Sequence, residues 1–252
     1  MADIDFTKKP PDSVPLDDER RVLEILKRTV VNLWDSIDDL CRLRPTQRRR
    51  FHVSIFGSNR IPPESPLYQD VHRTACSLAE MGCVVVTGAG SGLMRAANEG
   101  ALLGGGTESD CSVGLGLLQV AETTNPYTGR VFRHGSLFSR LQHFILMSDA
   151  YVAFPGGIGT LLELSVIWQL LQVHQLYCTP LILVGGMWPG IVEWVRSFML
   201  ERDFALIDPL DLEIPRCVPD AAGALAIILE HYHAWKNHHA SHSSSCLAPN
   251  PV

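Results

Sequence analysis

From residue 51 onward, short β-branched runs alternate with helical stretches, and this alternation predicts a doubly wound α/β fold. Two further observations agree. The strand runs are apolar at successive positions rather than alternate ones, as strands buried on both faces of a mostly parallel sheet require. Glycines gather directly after those runs, where the chain must turn tightly into a helix.

The elements read in order. HVSIFG (52–57) is a strand, followed by a helix over 66–81. CVVVTG (83–88) is a strand, 92–103 a helix, and SVGLGL (112–117) a third strand. A helix over 137–148 leads into the strand YVAF (151–154), and 160–173 is again helical. PLILVG (180–185) is a strand, 188–200 a helix, and a last helix covers about 219–236. Three regions follow: an N-terminal arm and helix over 1–50, a nucleotide-binding domain over 51–236, and a small-residue, polar tail over 237–252 that reads as disordered. Within the first, Val22, Leu26, Val30, Leu33, Trp34, Ile37 and Cys41 fall at helical spacing over 16–42, with Asp17 or Asp18 placed to cap. That stripe has to be buried on the domain or on a partner, and packing in cis is the preferred reading. Residues 43–50 form a basic linker.

Composition removes several function classes. Apolar residues make up 46% of the 252, enough to build a core and too many for a disordered chain. No apolar run reaches the roughly 18 residues of a membrane helix, and the polar start lacks the apolar region of a secretory signal. The net charge of −6 argues against a nucleic-acid partner. Seven cysteines, with no C-x-x-C pair, read as reduced thiols of a cytoplasmic protein without structural zinc. Only four lysines occur (Lys8, Lys9, Lys27 and Lys236), so the stretch from 28 to 235 can supply neither a Schiff base nor the lysine of a Walker A loop.

In an open parallel sheet, ligands bind beyond the carboxyl ends of the strands. There the chain places Gly57-Ser58, then Gly88-Ala89-Gly90-Ser91-Gly92, then Pro155-Gly156-Gly157-Ile158-Gly159-Thr160. Glycine lets backbone N–H groups approach an anion, and a helix N-terminus adds partial positive charge. Two such loops on one sheet edge point to a phosphorylated ligand. A dinucleotide fingerprint is a poor fit, because Leu93 stands where the third glycine of G-x-G-x-x-G belongs. Glu163 opens the helix after the third loop and has two readings. Thr160-x-x-Glu163 matches a capping box, and a carboxylate beside a phosphate loop also suits catalysis. Arg140 lies fifteen residues before Pro155, on the preceding helix. Whether it faces the loops depends on topology.

The segment SDAYVAFPGGIGTLLEL resembles the signature of the LONELY GUY phosphoribohydrolases, long mislabelled as lysine decarboxylases. IFGSNR (55–60) and VVTGAGSGLMRAANEGALLGGG (85–106) are similar to the family's first two loops, and the likeness covers roughly 52–200. The resemblance implies a Rossmann-like fold and a homodimer or higher homo-oligomer. It also implies hydrolysis of a nucleoside 5′-monophosphate, a cytokinin nucleotide among others, to free base and ribose 5-phosphate, with no cofactor and no metal. It makes Arg140 and Glu163 catalytic. It gives phosphate and nucleotide binding to Gly57, Ser58, Gly88, Gly90, Ser91, Gly92, Pro155, Gly156, Gly157, Ile158, Gly159 and Thr160. The chain departs from the family's H-E-R-K at Phe138-Ser139-Arg140-Leu141, with His134 and His143 nearby, and from its triple glycine at GAGSG. The molybdenum-cofactor carriers share the fold and the phosphate loop, so a non-enzymatic carrier is the alternative.

Overall fold

A computed structural model describes residues 18–29, 50–106, 109–118, 124–201 and 204–245. The chain divides into two units, residues 1–48 and 49–252. In the first, residues 19–29 form a helix, α1, on which Leu23, Ile25 and Leu26 are exposed. The rest of the helix expected over 16–42, with most of its apolar stripe, lies outside the described residues, as do the arm and most of the linker.

The second unit begins with β1 (His52–Phe56), α2 (Pro66–Glu80), β2 (Val84–Thr87), α3 (Leu93–Gly105) and β3 (Ser112–Leu117). It continues through β4 (Arg130–His134), α4 (Leu137–Met147), β5 (Ala150–Ala153), α5 (Ile158–Gln172) and β6 (Leu181–Val184). α6 (Pro189–Val195), β7 (Pro215–Val218) and α7 (Ala221–Ser245) complete it. All seven strands run parallel, in the order β4-β3-β2-β1-β5-β6-β7. This is the doubly wound, Rossmann-like sheet that the alternation predicts.

Each central strand feeds two cores. Val53, Ile55 and Val85 face one side, where they meet Val71, Leu78, Ala96 and Ala97 of α2 and α3 and Ile228 of α7. Val84, Val86, Tyr151 and Leu183 face the other, against Phe144 of α4 and Leu164 and Ile167 of α5. Each such side chain is fully or almost fully buried, worth roughly 1.5–3 kcal/mol for each valine, leucine, isoleucine and phenylalanine among them. Double-sided burial is the reason these strands carry no polar alternation.

The sheet outgrows the sequence reading at both edges. β4 (RVFRH) and β7 (PRCV) were not expected, because an edge strand is covered on fewer sides and keeps charged residues in its pattern. α7 runs on to Ser245 instead of ending near 236, since no glycine or proline interrupts that stretch before Pro249. α6 is shorter than 188–200; beyond Val195 the chain widens into a single π-helical stretch over Arg196–Leu200.

Topology positions the cleft. The chain adds β2, β3 and β4 outward from β1, then returns through α4 to lay β5 on the opposite side of β1. Loops leaving β1 and β5 therefore diverge to opposite faces, and a crevice opens between them at the carboxyl ends of the strands.

Candidate functional site

Three glycine loops meet at that crevice. After β1, Gly57 leaves room for α3, whose Leu93 would be only 2.8 Å from a methyl placed there. The Leu93 amide donates to the Ser58 carbonyl at 2.9 Å and Ser91 Oγ donates to the Asn59 carbonyl at 3.0 Å, which ties the first loop to the second. Gly92 turns at φ +60°, and a Cβ there would collide with the Ser58 and Asn59 backbone, so the position excludes any side chain. After β5, the Pro155 carbonyl accepts from the Ser58 amide at 3.1 Å, and this joins the first loop to the third.

The third loop enters α5 directly. Its N-cap is Gly157, and the helix begins at Ile158. Thr160 is buried, with its side chain against Gly156, where a Cβ would collide with it. The capping-box reading of Thr160 and Glu163 is therefore overturned. The helix starts before Thr160, so Glu163 lies in the second turn, beyond reach of a cap, and points inward.

What it meets there is Arg140. Ser136 caps α4 by accepting from the Ser139 amide at 3.2 Å, and the next residue sends its guanidinium across the crevice. Arg140 Nη2 donates to Glu163 Oε1 at 2.6 Å. The side chains are 15% and 9% exposed, so this is a pair withdrawn from water. Phe144 lies one turn below Arg140, with its ring 5.7 Å from the guanidinium carbon. Gly88, directly after β2, is bare where a Cβ would stand 2.8 Å from Met94 Sδ and in ordinary van der Waals contact, 3.5 Å, with the Arg140 guanidinium. Arg140 Nε is buried and makes no hydrogen bond among the described residues, so one donor of the fork is unspent.

Burial raises the Glu163 carboxyl above its ordinary 4.5, while the charge and hydrogen bond of Arg140 pull it back down. Behind the pair, His134 and His143 face each other at 3.0 Å between Nε2 and Nδ1. Burial lowers both imidazoles, and Arg140 adds to the effect on His134.

The resulting cleft has a volume of about 710 Å³. Gly57, Ser58, Gly88, Arg140, Glu163 and the whole run Pro155–Thr160 line it. Ile158 stands 82% exposed at its rim. Gly90 instead borders a side cavity of about 60 Å³ that shares Gly88 and Arg140 with the main cleft. Ser91 and Gly92 line neither cavity; they serve as the tie between loops. Sequence reasoning missed Asn59, Arg60, Ile61, Met94 and Met187 in the lining. Arg60 and Met94 directly follow motif residues and were legible by adjacency, whereas Met187 arrives from the loop after β6 without a local signal. Among the described residues no three metal-ligating side chains cluster.

Comparison with known proteins follows the same residues. The family described as "Possible lysine decarboxylase" matches residues 94–228. A rice protein (Oryza sativa subsp. japonica), "Probable cytokinin riboside 5'-monophosphate phosphoribohydrolase LOGL5", is 31% identical over 157 residues, 61% of this chain; the chain likewise spans 61% of that protein's length. Two solved structures share the fold. The molybdenum cofactor binding protein of Rippkaea orientalis is 16% identical with a TM-score of 0.54, over 73% of this chain and 98% of that one. The molybdenum cofactor carrier protein of Chlamydomonas reinhardtii is 20% identical, with the same TM-score of 0.54 and the same coverage, 73% and 98%. At such identities the likeness is one of fold.

Removing the guanidinium would strand the Glu163 carboxylate in a buried site, and its carboxyl would move still further above 4.5. A carboxyl whose folded pKa exceeds its unfolded one favours the folded state at low pH and loses that advantage as pH rises through the folded value. Arg140→Ala is therefore expected to cost about 3–5 kcal/mol at about pH 8 and clearly less at about pH 5, read by urea unfolding. An equal loss at both pH values would show that Glu163 is not the group left unpaired.

Proposed function

This chain belongs to the "Possible lysine decarboxylase" family, the LONELY GUY family, and from that premise we propose that it hydrolyses the N-glycosidic bond of a nucleoside 5′-monophosphate. The products are a free base and ribose 5-phosphate. The observation that carries this reading is the buried 2.6 Å contact between Arg140 and Glu163 at the floor of a cleft walled by the start of α5.

The chemistry follows from the charges. The C1′–N bond breaks with its electron pair leaving on the base, and positive charge develops on the ribose. The Glu163 carboxylate stabilises that oxocarbenium-like state and orients water toward C1′. Water's hydroxyl becomes the anomeric hydroxyl of ribose 5-phosphate and its remaining proton goes to the base. Glu163 works when ionised; burial raises its carboxyl, and the charge and hydrogen bond of Arg140 oppose that rise. Arg140 also stabilises charge on the departing base or on the phosphate through its guanidinium charge. The 5′-phosphate rests on the backbone N–H groups of Gly156–Thr160, at the positive end of α5. Gly57, Ser58 and Gly88 close the cleft around the sugar.

The lysine-decarboxylase description finds no support in the residues: no lysine occurs between 28 and 235 to anchor pyridoxal phosphate. The rice relative's name supports including a cytokinin riboside 5′-monophosphate in the proposed substrate set. The buried cysteines Cys83 and Cys111, neither in a disulfide, suit a cytoplasmic setting. Among the described residues no helix is long and apolar enough to cross a membrane.

A homo-oligomer is part of the same proposal. Trp194 of α6 and Phe198 of the π-helical stretch after it stack at 5.6 Å, 51% and 47% exposed, beside an apolar groove of about 430 Å³ against α5. A second copy would cover this face. Light scattering is expected to give a multiple of the 27.8 kDa chain mass, falling toward that mass when Trp194 and Phe198 are both changed to Asp. A wild-type monomer would remove the oligomer from the account.

The reaction itself is tested by ribose 5-phosphate release from a panel of nucleoside 5′-monophosphates, with cytokinin nucleotides included. Glu163→Ala and Arg140→Ala should each lower kcat/KM by at least about a hundredfold while remaining folded. Absence of release from every nucleotide, with a phosphorylated ligand co-purifying, would make the chain a carrier.

A further inference from the structure

Ala89 adopts φ +63°, a left-handed conformation that residues with a Cβ rarely take, in a loop otherwise rich in glycine. It lies between Gly88, where a Cβ would stand 3.5 Å from the Arg140 guanidinium, and Gly90, which borders the side cavity that Arg140 also lines. The surroundings hold it there. The Ala89 amide donates to Thr87 Oγ1 at 3.0 Å, and its carbonyl accepts from the Asn125 amide at 2.9 Å. Asn125 Nδ2 also donates to the Gly90 carbonyl at 2.9 Å.

These contacts converge on one carboxamide. Asn98, on α3, is completely buried. Its Oδ1 accepts from Thr87 Oγ1 at 2.6 Å and from Asn125 Nδ2 at 3.0 Å. Its Nδ2 donates to Ser112 Oγ at 2.9 Å and to the Val113 carbonyl at 3.4 Å, so all four hydrogen-bonding positions of the amide are used. The methyl of Ala89 sits over Gly114 of β3, where a Cβ would come within 2.7 Å of it. A helix, two strands and the 125–128 turn therefore fix a single backbone conformation.

We propose that Thr87, Asn98 and Asn125 act together as a positioning clamp, holding the 88–90 turn so that Gly88 seats the Arg140 guanidinium against Glu163. The kinetic consequence rests on the hydrolase reading; the geometric one does not. Thr87 is the informative position, because valine matches its shape and lacks only the hydroxyl that accepts from Ala89 and donates to Asn98. Loss of that hydroxyl frees the turn, and Arg140 loses its seat. The phosphate loop at 156–160 belongs to a different wall, so substrate capture is little affected.

Thr87→Val and Thr87→Ser are compared with wild type, with Asn125→Ala as a second variant should Thr87→Val fail to fold. In Thr87→Val, amide hydrogen exchange across residues 88–92 is expected to accelerate at least about tenfold, because the opening of that turn is no longer opposed. The Glu163 carboxyl, followed by carbon NMR, should titrate at higher pH as its counter-charge shifts. On a nucleotide that wild type cleaves, kcat should fall about tenfold or more with KM changed less than about threefold, and Thr87→Ser should restore it. Unchanged exchange, an unmoved Glu163 titration, or a serine variant as defective as the valine would each overturn the clamp. Wild type inactive on every nucleotide would instead sink the hydrolase reading, and exchange and titration would then decide the clamp alone.

Discussion

A guanidinium and a carboxylate withdrawn from water together tolerate little misplacement, because each compensates the other's lost hydration. Arg140 and Glu163 stand in that relation at 2.6 Å. Each comes from a different helix on the same face of the sheet, so the contact ties α4 to α5 across the opening where the strand order reverses. It also acts on the state of the carboxyl. Burial alone would favour the neutral acid, and Arg140 opposes it. Structure and chemistry therefore turn on one ion pair: the charge that locks the two helices is the charge that can meet a developing cation.

The glycines make room for the side chains around that pair. Gly88 is bare because Met94 presses against it, Gly57 because Leu93 does, and Gly156 because Thr160 folds over it. Only at Gly92 does a positive φ, +60°, enter the argument. Most of these glycines thus reflect close approach of neighbours at the strand ends, and close approach also brings backbone N–H groups within reach of a phosphate. The exception is Ala89, whose left-handed backbone is imposed by hydrogen bonds to Thr87 and Asn125.

The central sheet was legible because β1, β2, β5 and β6 are apolar on both faces, a pattern only doubly covered parallel strands need. The edges were illegible for the converse reason: Arg130 and Arg133 in β4 and Pro215 and Arg216 in β7 resemble loop residues. Within the site, the loops announced themselves through glycine. The partner of Glu163 did not, because a contact over 23 positions in sequence is set by the return of the chain from the sheet edge to its centre. The capping-box pattern misled for a local reason. T-x-x-E scores as a helix start wherever it falls, and here the glycine before Ile158 had already begun the helix. Asn98 carried no signal at all, since one asparagine within an alanine-rich helix does not disclose that four groups converge on it.

A crystal structure with ribose 5-phosphate bound to the wild-type protein puts the account to its most direct test. The phosphate should lie on the amides of Gly156–Thr160, with the anomeric carbon directed inward and a water or hydroxyl between it and Glu163, about 3–3.5 Å from the reacting atom. A sugar turned outward toward Arg60 and Ile158, with its anomeric carbon remote from Glu163, would contradict the assignment of the buried pair to glycosidic chemistry.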